Sequence, residues 1–84
     1  MTIGRVIRSF ASPSASPTGL TWDGRTLWHN DSTTDTICQI DPVSGRVIRS
    51  FASPSTFPTG LTWDGRTLWL SDATTDTIYQ LEVD

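Results

Sequence analysis

Apolar residues come in short runs along this chain, and each run stops at a turn signal. Gly19-Leu-Thr-Trp22 ends at Asp23-Gly24, a dipeptide that favours tight hairpin turns. Thr26-Leu-Trp-His29 follows, then the polar stretch from Asn30 to Asp35, then Thr36-Ile-Cys-Gln-Ile40. Asp41-Pro-Val-Ser-Gly45 puts Pro and Gly where a turn uses them. The next run, GRVIRSF at Gly45–Phe51, is β-branched and partly alternating, and the same letters stand at Gly4–Phe10. No segment carries apolar residues at i, i+3 and i+4 for long enough to make a helix, whereas β-branched and aromatic residues suit strands. The pattern predicts an all-β chain of short strands joined by hairpin loops.

The runs repeat. TGLTWDGRTLW at Thr18–Trp28 returns at Thr59–Trp69, and sliding the chain by 41 aligns Gly4–Asp41 with Gly45–Glu82. Only eight aligned positions differ: 15, 16, 29, 30, 32, 38, 40 and 41. Even Arg, Ser and Thr positions that read as exposed are the same, which points to a recent duplication or an engineered excerpt of a longer array. Four strands in a period near 40 residues is the pattern of a propeller blade.

PTGLTWDGRTLWLSDATTDTIYQL, taken with GRVIRSF, resembles the blade of bacterial β-propellers of the NHL, virginiamycin B lyase and glutaminyl cyclotransferase groups. The matching marks are Pro17/Pro58 and Gly19/Gly60 before one strand, Trp22-Asp23-Gly24 after it, and Leu27-Trp28 with Asp31 on the next. The resemblance covers essentially the whole chain, but its motifs are packing and turn residues, so they specify a fold and not an activity. The WD40 pattern fits less well, because there is no Gly-His opening and no Trp-Asp at the end of the third strand. The resemblance implies a strand order with Gly19–Trp22 innermost, then Thr26–His29, Thr36–Ile40, and Gly45–Phe51 outermost. Residues 4–10 then become the outer strand of a neighbour's blade, 19–51 a first blade, and 60–82 three strands of a second.

The expected fold is therefore an all-β propeller with two four-stranded blades per chain. Its ring is completed by oligomerisation, with the N-terminal outer strand closing a neighbour's last blade. Physics points the same way, because a blade is apolar on both faces. Leu20, Trp22, Leu27, Trp28, Ile37 and Ile40, with their equivalents, cannot all be covered by two blades, and a bare pair would leave an unpaired strand edge in water. Propellers close at about four to eight blades. Six blades as a cyclic trimer is the expectation by family analogy, with eight as a tetramer the alternative. A channel lined near Gly19, Thr21, Gly60 and Thr62 follows from the strand order.

Composition trims the remaining classes. Hydrophobic content of 36% with four Trp excludes a disordered chain. Six Arg against nine acidic residues give a net charge of −3 with no basic cluster, which argues against nucleic acid and anionic membranes as partners. No run approaches the ~18 apolar residues of a membrane helix, and residues 1–10 lack the continuous apolar stretch of a secretory leader. Cys38 is the sole cysteine, so it forms no intrachain disulfide and reads as a small core residue.

Candidate chemistry is sparse. His29 becomes Leu70 one repeat on, the mark of a core position and not of a general base. No His/Glu pair maps onto a lyase or cyclotransferase site, and no activated Ser or Cys is indicated, so no catalytic residue, cofactor or metal is expected. Asp23 and Asp64 read as turn residues, the Trp residues as core in preference to sugar-stacking platforms, and Arg5 and Arg8 as cover for a solvated edge. Asn30, Asp31, Asp35, Ser71, Asp72 and Asp76 mark the two polar loops as possible ligand-binding positions. Their carboxylates either hold a hard cation at the channel mouth or bond the backbone of their own loops, the commoner arrangement. The function expected is a non-catalytic, self-assembling scaffold whose partner is itself. The alternatives are a module binding a glycan, peptide or metal, and a fragment of a lyase- or cyclotransferase-like enzyme.

Overall fold

The computed structural model of the chain describes residues 3–54 and 56–83. It is all-β, with no helix among the described residues. Seven strands form in order: β1 (Pro17–Trp22), β2 (Leu27–Asp31), β3 (Thr36–Ile40), β4 (Val47–Ala52), β5 (Pro58–Trp63), β6 (Leu68–Asp72) and β7 (Thr77–Leu81). They make two antiparallel sheets, β1-β2-β3-β4 and β5-β6-β7. Thr36–Ile40 has the expected bounds. β1 starts two residues earlier than Gly19, because Pro17 still pairs with Asp31 across a bulge. Gly4–Phe10 forms no strand within the chain, although the same letters build β4. The difference is pairing: β4 has β3 beside it, and a strand without an adjacent edge has nothing to hold it extended.

The Asp-Gly hairpins form for a local reason. Asp23 Oδ1 accepts the N–H groups of Arg25 (2.8 Å) and Thr26 (2.7 Å), while Oδ2 accepts Thr26 Oγ1 and Trp28 Nε1, both at 2.8 Å. Gly24 sits at φ +101, which the turn requires and which side chains rarely adopt. Asp64 repeats the arrangement with Arg66, Thr67 and Trp69.

Cross-strand register sorts the side chains onto faces. In the first sheet Gly19, Thr21, Trp28, Asn30, Ile37, Gln39, Arg49 and Phe51 share one face; Leu20, Trp22, Leu27, His29, Cys38 and Ile40 share the other. In the second sheet Leu61, Trp63, Leu68, Leu70, Tyr79 and Leu81 share a face. The core is built from Trp28, Ile37, Leu68 and Leu70, with Phe51, Leu61, Trp63, Tyr79, Leu81 and Val83 packed against it. The Trp28 face of the first sheet therefore meets the Leu70 face of the second. These two faces are not equivalent by the repeat.

The sheets approach most closely along β1 and β5, where Thr18 Oγ1 donates to the Pro58 carbonyl at 2.8 Å. Gly19 permits this: a Cβ there would lie 2.5 Å from Asn30 Oδ1 and 3.1 Å from the Leu61 nitrogen. Around Trp28, the Phe51 ring packs at a tilt of 55° with ring centroids 6.3 Å apart, and the Arg49 guanidinium lies 5.2 Å from the indole centroid. Arg49 Nε donates to Gln39 Oε1 (2.9 Å), and Gln39 Nε2 donates in turn to Thr26 Oγ1 (2.8 Å).

Candidate functional site

The six residues singled out from sequence divide between strand and loop: Asn30 and Asp31 end β2 and Ser71 and Asp72 end β6, because cross-strand pairing continues to Asp31↔Thr36 and Asp72↔Thr77, and only Asp35 and Asp76 stand in the loops. Asp31, fully buried at the end of β2, accepts from the Thr33 and Thr34 N–H groups (2.8 and 3.0 Å) and from Thr34 Oγ1 (3.3 Å). Its other oxygen accepts the Ser16 N–H at 2.8 Å, which pins the chain entering β1. Asp72 does the same with Thr74, Thr75 and the Phe57 N–H. Burial pushes the Asp31 carboxyl up, but the donors from Ser14, Thr34, Ser16 and Thr33 outweigh it and bring the pKa down to about 2. Asp35 (φ 52) and Asp76 (φ 54) turn the loops through the left-handed region, which Asp tolerates better than most residues. Asn30 is buried, with its Oδ1 accepting from Thr18 Oγ1 at 3.2 Å, and Ser71 Oγ lies 3.3 Å from Thr59 Oγ1. The two loops remain separate, and among the described residues no three His, Cys, Asp or Glu side chains gather as a ligand set.

Asp23 follows the same balance. Desolvation raises its pKa, but the hydrogen bonds from Thr26, Trp28 and Arg25 outweigh it and bring the pKa down to about 2. For exposed Asp64 the donors Thr67, Trp69 and Arg66 lower the pKa with little opposing burial. These carboxylates are turn architecture.

A different place stands open. On the outward face of the first sheet, a cavity of about 350 Å³ is lined by Phe10, Ser12, Leu20, Leu27, His29 and Ile40. His29 is only 3% exposed, yet among the described residues neither ring nitrogen has a hydrogen-bond partner. Its cross-strand neighbour is buried Cys38, whose thiol pKa is raised by desolvation. Leu20 is 63% and Trp22 51% exposed on this face. The opposite outward face, on the second sheet, has a smaller cavity lined by Thr62, Trp69, Ser71 and Ile78, with Ile78 71% exposed.

The N-terminal segment enters here, in a way that strand-pattern reading missed. Arg8 reaches the Pro42 carbonyl at 3.5 Å, and the Phe10 ring packs onto Gly45 so closely that a Cβ there would lie 2.9 Å from it. Phe10 thus shares a cavity with Leu27, His29 and Ile40, as Phe51 packs on the cluster that contains Leu68, Leu70 and Leu81. Both sets are related by the 41-residue shift. The shift itself was the available signal; what it lacked was the knowledge of which face the outer strand crosses.

Compared with known proteins, the chain matches no family model and no curated sequence.

Proposed function

We propose that this chain is a non-catalytic, self-assembling module: a two-blade segment of a β-propeller, completed into a ring by further copies of itself. Six blades as a trimer is the preferred closure, with eight as a tetramer the alternative. The observation that carries the reading is the inequivalence of the packed faces. The first sheet offers its Trp28 face to the Leu70 face of the second, and the complement of each is covered only in part: His29, Cys38 and Ile40 are buried, whereas Leu20 and Trp22 at one end of the fold and Ile78 at the other are exposed. Repeating the internal contact from copy to copy is a head-to-tail arrangement, which closes into a ring when the rotation per step divides a full turn.

The N-terminal segment supports the same reading. Phe10 occupies, over the first sheet, the place Phe51 occupies over the second. In a ring, the outer strand expected at residues 4–10, extended to Ala11, lies beside β7 of a neighbour, in the register of β3 with β4. Thr36↔Ala52, Ile37↔Phe51, Cys38↔Ser50, Gln39↔Arg49 and Ile40↔Val47 translate to Thr77↔Ala11, Ile78↔Phe10, Tyr79↔Ser9, Gln80↔Arg8 and Leu81↔Val6. Arg8 then lies over Trp69 and reaches Gln80, as Arg49 does with Trp28 and Gln39. The absence of catalysis follows from the repeat: near-identical blades offer the same groups twice, whereas acid–base chemistry needs different groups facing each other.

Native mass spectrometry tests the proposal. With a chain of 9.2 kDa, three copies weigh about 28 kDa and four about 37 kDa, within the ~4–8-blade closure range. A dominant 9.2 kDa species at micromolar concentration would refute the ring, and a tetramer would refute only the choice of six.

A further inference from the structure

We propose that each junction between copies is closed by a hydrogen bond between His29 of one chain and Ser71 of the next, an inference that rests on the ring reading above. A buried imidazole with both nitrogens unpaired is costly, and buried polar groups in native proteins almost always have a partner. Within the described residues His29 has none, and its nitrogens are closed off by this chain's own atoms, so a partner supplied by another copy must displace part of that cover as the junction forms.

The repeat identifies the surface that supplies it. Leu70 holds the position of His29 in the second sheet and is buried against the face carrying Trp28, Asn30 and Ile37. One repeat on, the covering face carries Trp69, Ser71 and Ile78, which line the open cavity of the second sheet. Within the chain the amide of Asn30 lies over Gly19, and a Cβ on Gly19 would be 3.1 Å from the nitrogen of Leu61, the cross-strand partner of Leu70. Shifted by one repeat, Ser71 of a second copy lies beside Leu20, whose cross-strand partner is His29.

Two other polar groups of that face, Trp69 and Gln80, are already engaged, and Thr62 stands exposed on β5, the strand that pairs with β6. Trp69 Nε1 donates to Asp64 at 2.8 Å, and Gln80 Nε2 donates to Thr67 at 3.0 Å. Ser71 Oγ has only a long contact to Thr59, at 3.3 Å. A hydroxyl both donates and accepts, so it serves either tautomer of the ring. Positions 29 and 30 are two of the eight that differ between repeats. The pairing links the two differences: the chain has Asn at 30 and Leu at 70, and between chains the shorter Ser71 leaves room for the imidazole of His29.

A double-mutant cycle on the assembly tests the bond. The dissociation constant is read from native mass spectra on dilution for the parent, His29→Leu, Ser71→Ala and the double variant. His29→Leu copies the residue already accommodated at the internal junction and is expected to assemble. Ser71→Ala is expected to weaken each junction about tenfold in the parent and less than about twofold in the His29→Leu background. An equal loss in both backgrounds would overturn the hydrogen bond while leaving the ring intact. A parent that stays monomeric would overturn the ring, and the bond with it. If a variant fails to fold, the parent alone suffices: the chain has one histidine, so its side-chain ¹⁵N resonances are unambiguous. They should move on assembly in the direction of hydrogen bonding, and unchanged resonances in the assembled protein would reject the inference.

Discussion

Removing residues 1–10 isolates the strand that the ring reading places between copies. The magnitude can be worked from the pairing inside the chain. The β3–β4 ladder carries five register pairs, and the transferred strand would make a ladder of the same length with β7 of its neighbour. Backbone hydrogen bonds contribute about 0.5–1.5 kcal/mol each net of water, so about five bonds give roughly 2.5–7.5 kcal/mol per junction. Part of this is offset by ordering the segment. That cost is reduced here because Phe10 already rests on Gly45 and Arg8 on Pro42. Taking about 3 kcal/mol as the working value, each junction weakens roughly 100-fold. Sedimentation velocity at micromolar concentration should then show loss of the assembly, with exposed Leu20, Trp22 and Ile78 driving disordered association in its place. A synthetic peptide spanning residues 3–16 should restore the ring, because the strand is donated between chains. A truncated protein that keeps the mass and dilution profile of the parent would refute the strand assignment, whatever holds the ring together.

Acid should loosen the folded chain in a defined window. Asp23 and Asp31 have folded pKa values lowered from 3.8 to about 2, so the stability they contribute is present above the unfolded value and lost as pH falls from about 4 towards 2. That amounts to about 2 kcal/mol each at most, and circular dichroism melts that are flat across this range would contradict it. Gly19→Ala should lower stability by about 1–3 kcal/mol, because its Cβ would meet Asn30 Oδ1 at 2.5 Å and the Leu61 nitrogen at 3.1 Å, where both backbones are committed to ladders. A thermal melt unchanged by this substitution would argue against the close approach of β1 and β5. Cys38, buried with a raised thiol pKa, should react with a disulfide reagent only at the rate of opening, and labelling as fast as in denaturant would contradict its placement.

Hairpin chemistry was written in the letters. Asp23-Gly24 and Asp64-Gly65 close the same turn because each Asp captures backbone and indole N–H groups a few residues away, a purely local act. The strands that flank these turns follow from alternation and β-branching, and for that reason Thr36–Ile40 was legible to the residue. The candidate loops were legible as loops, but whether Asp31 faced a ligand or its own backbone depended on where the Ser16 N–H arrives, fifteen residues earlier in the chain. His29 read as a core residue from its exchange with Leu70; that its nitrogens are left without partners appears only once the face it stands on is known. The identical letters GRVIRSF make a strand at one place and none at the other, since extended backbone is held by the edge beside it. Which face of one sheet meets which face of the next is likewise absent from a sequence that repeats itself. Translation by 41 residues treats both sheets alike, and only the tertiary packing breaks that symmetry, burying Trp28 against Leu70 and leaving Leu20 and Ile78 uncovered.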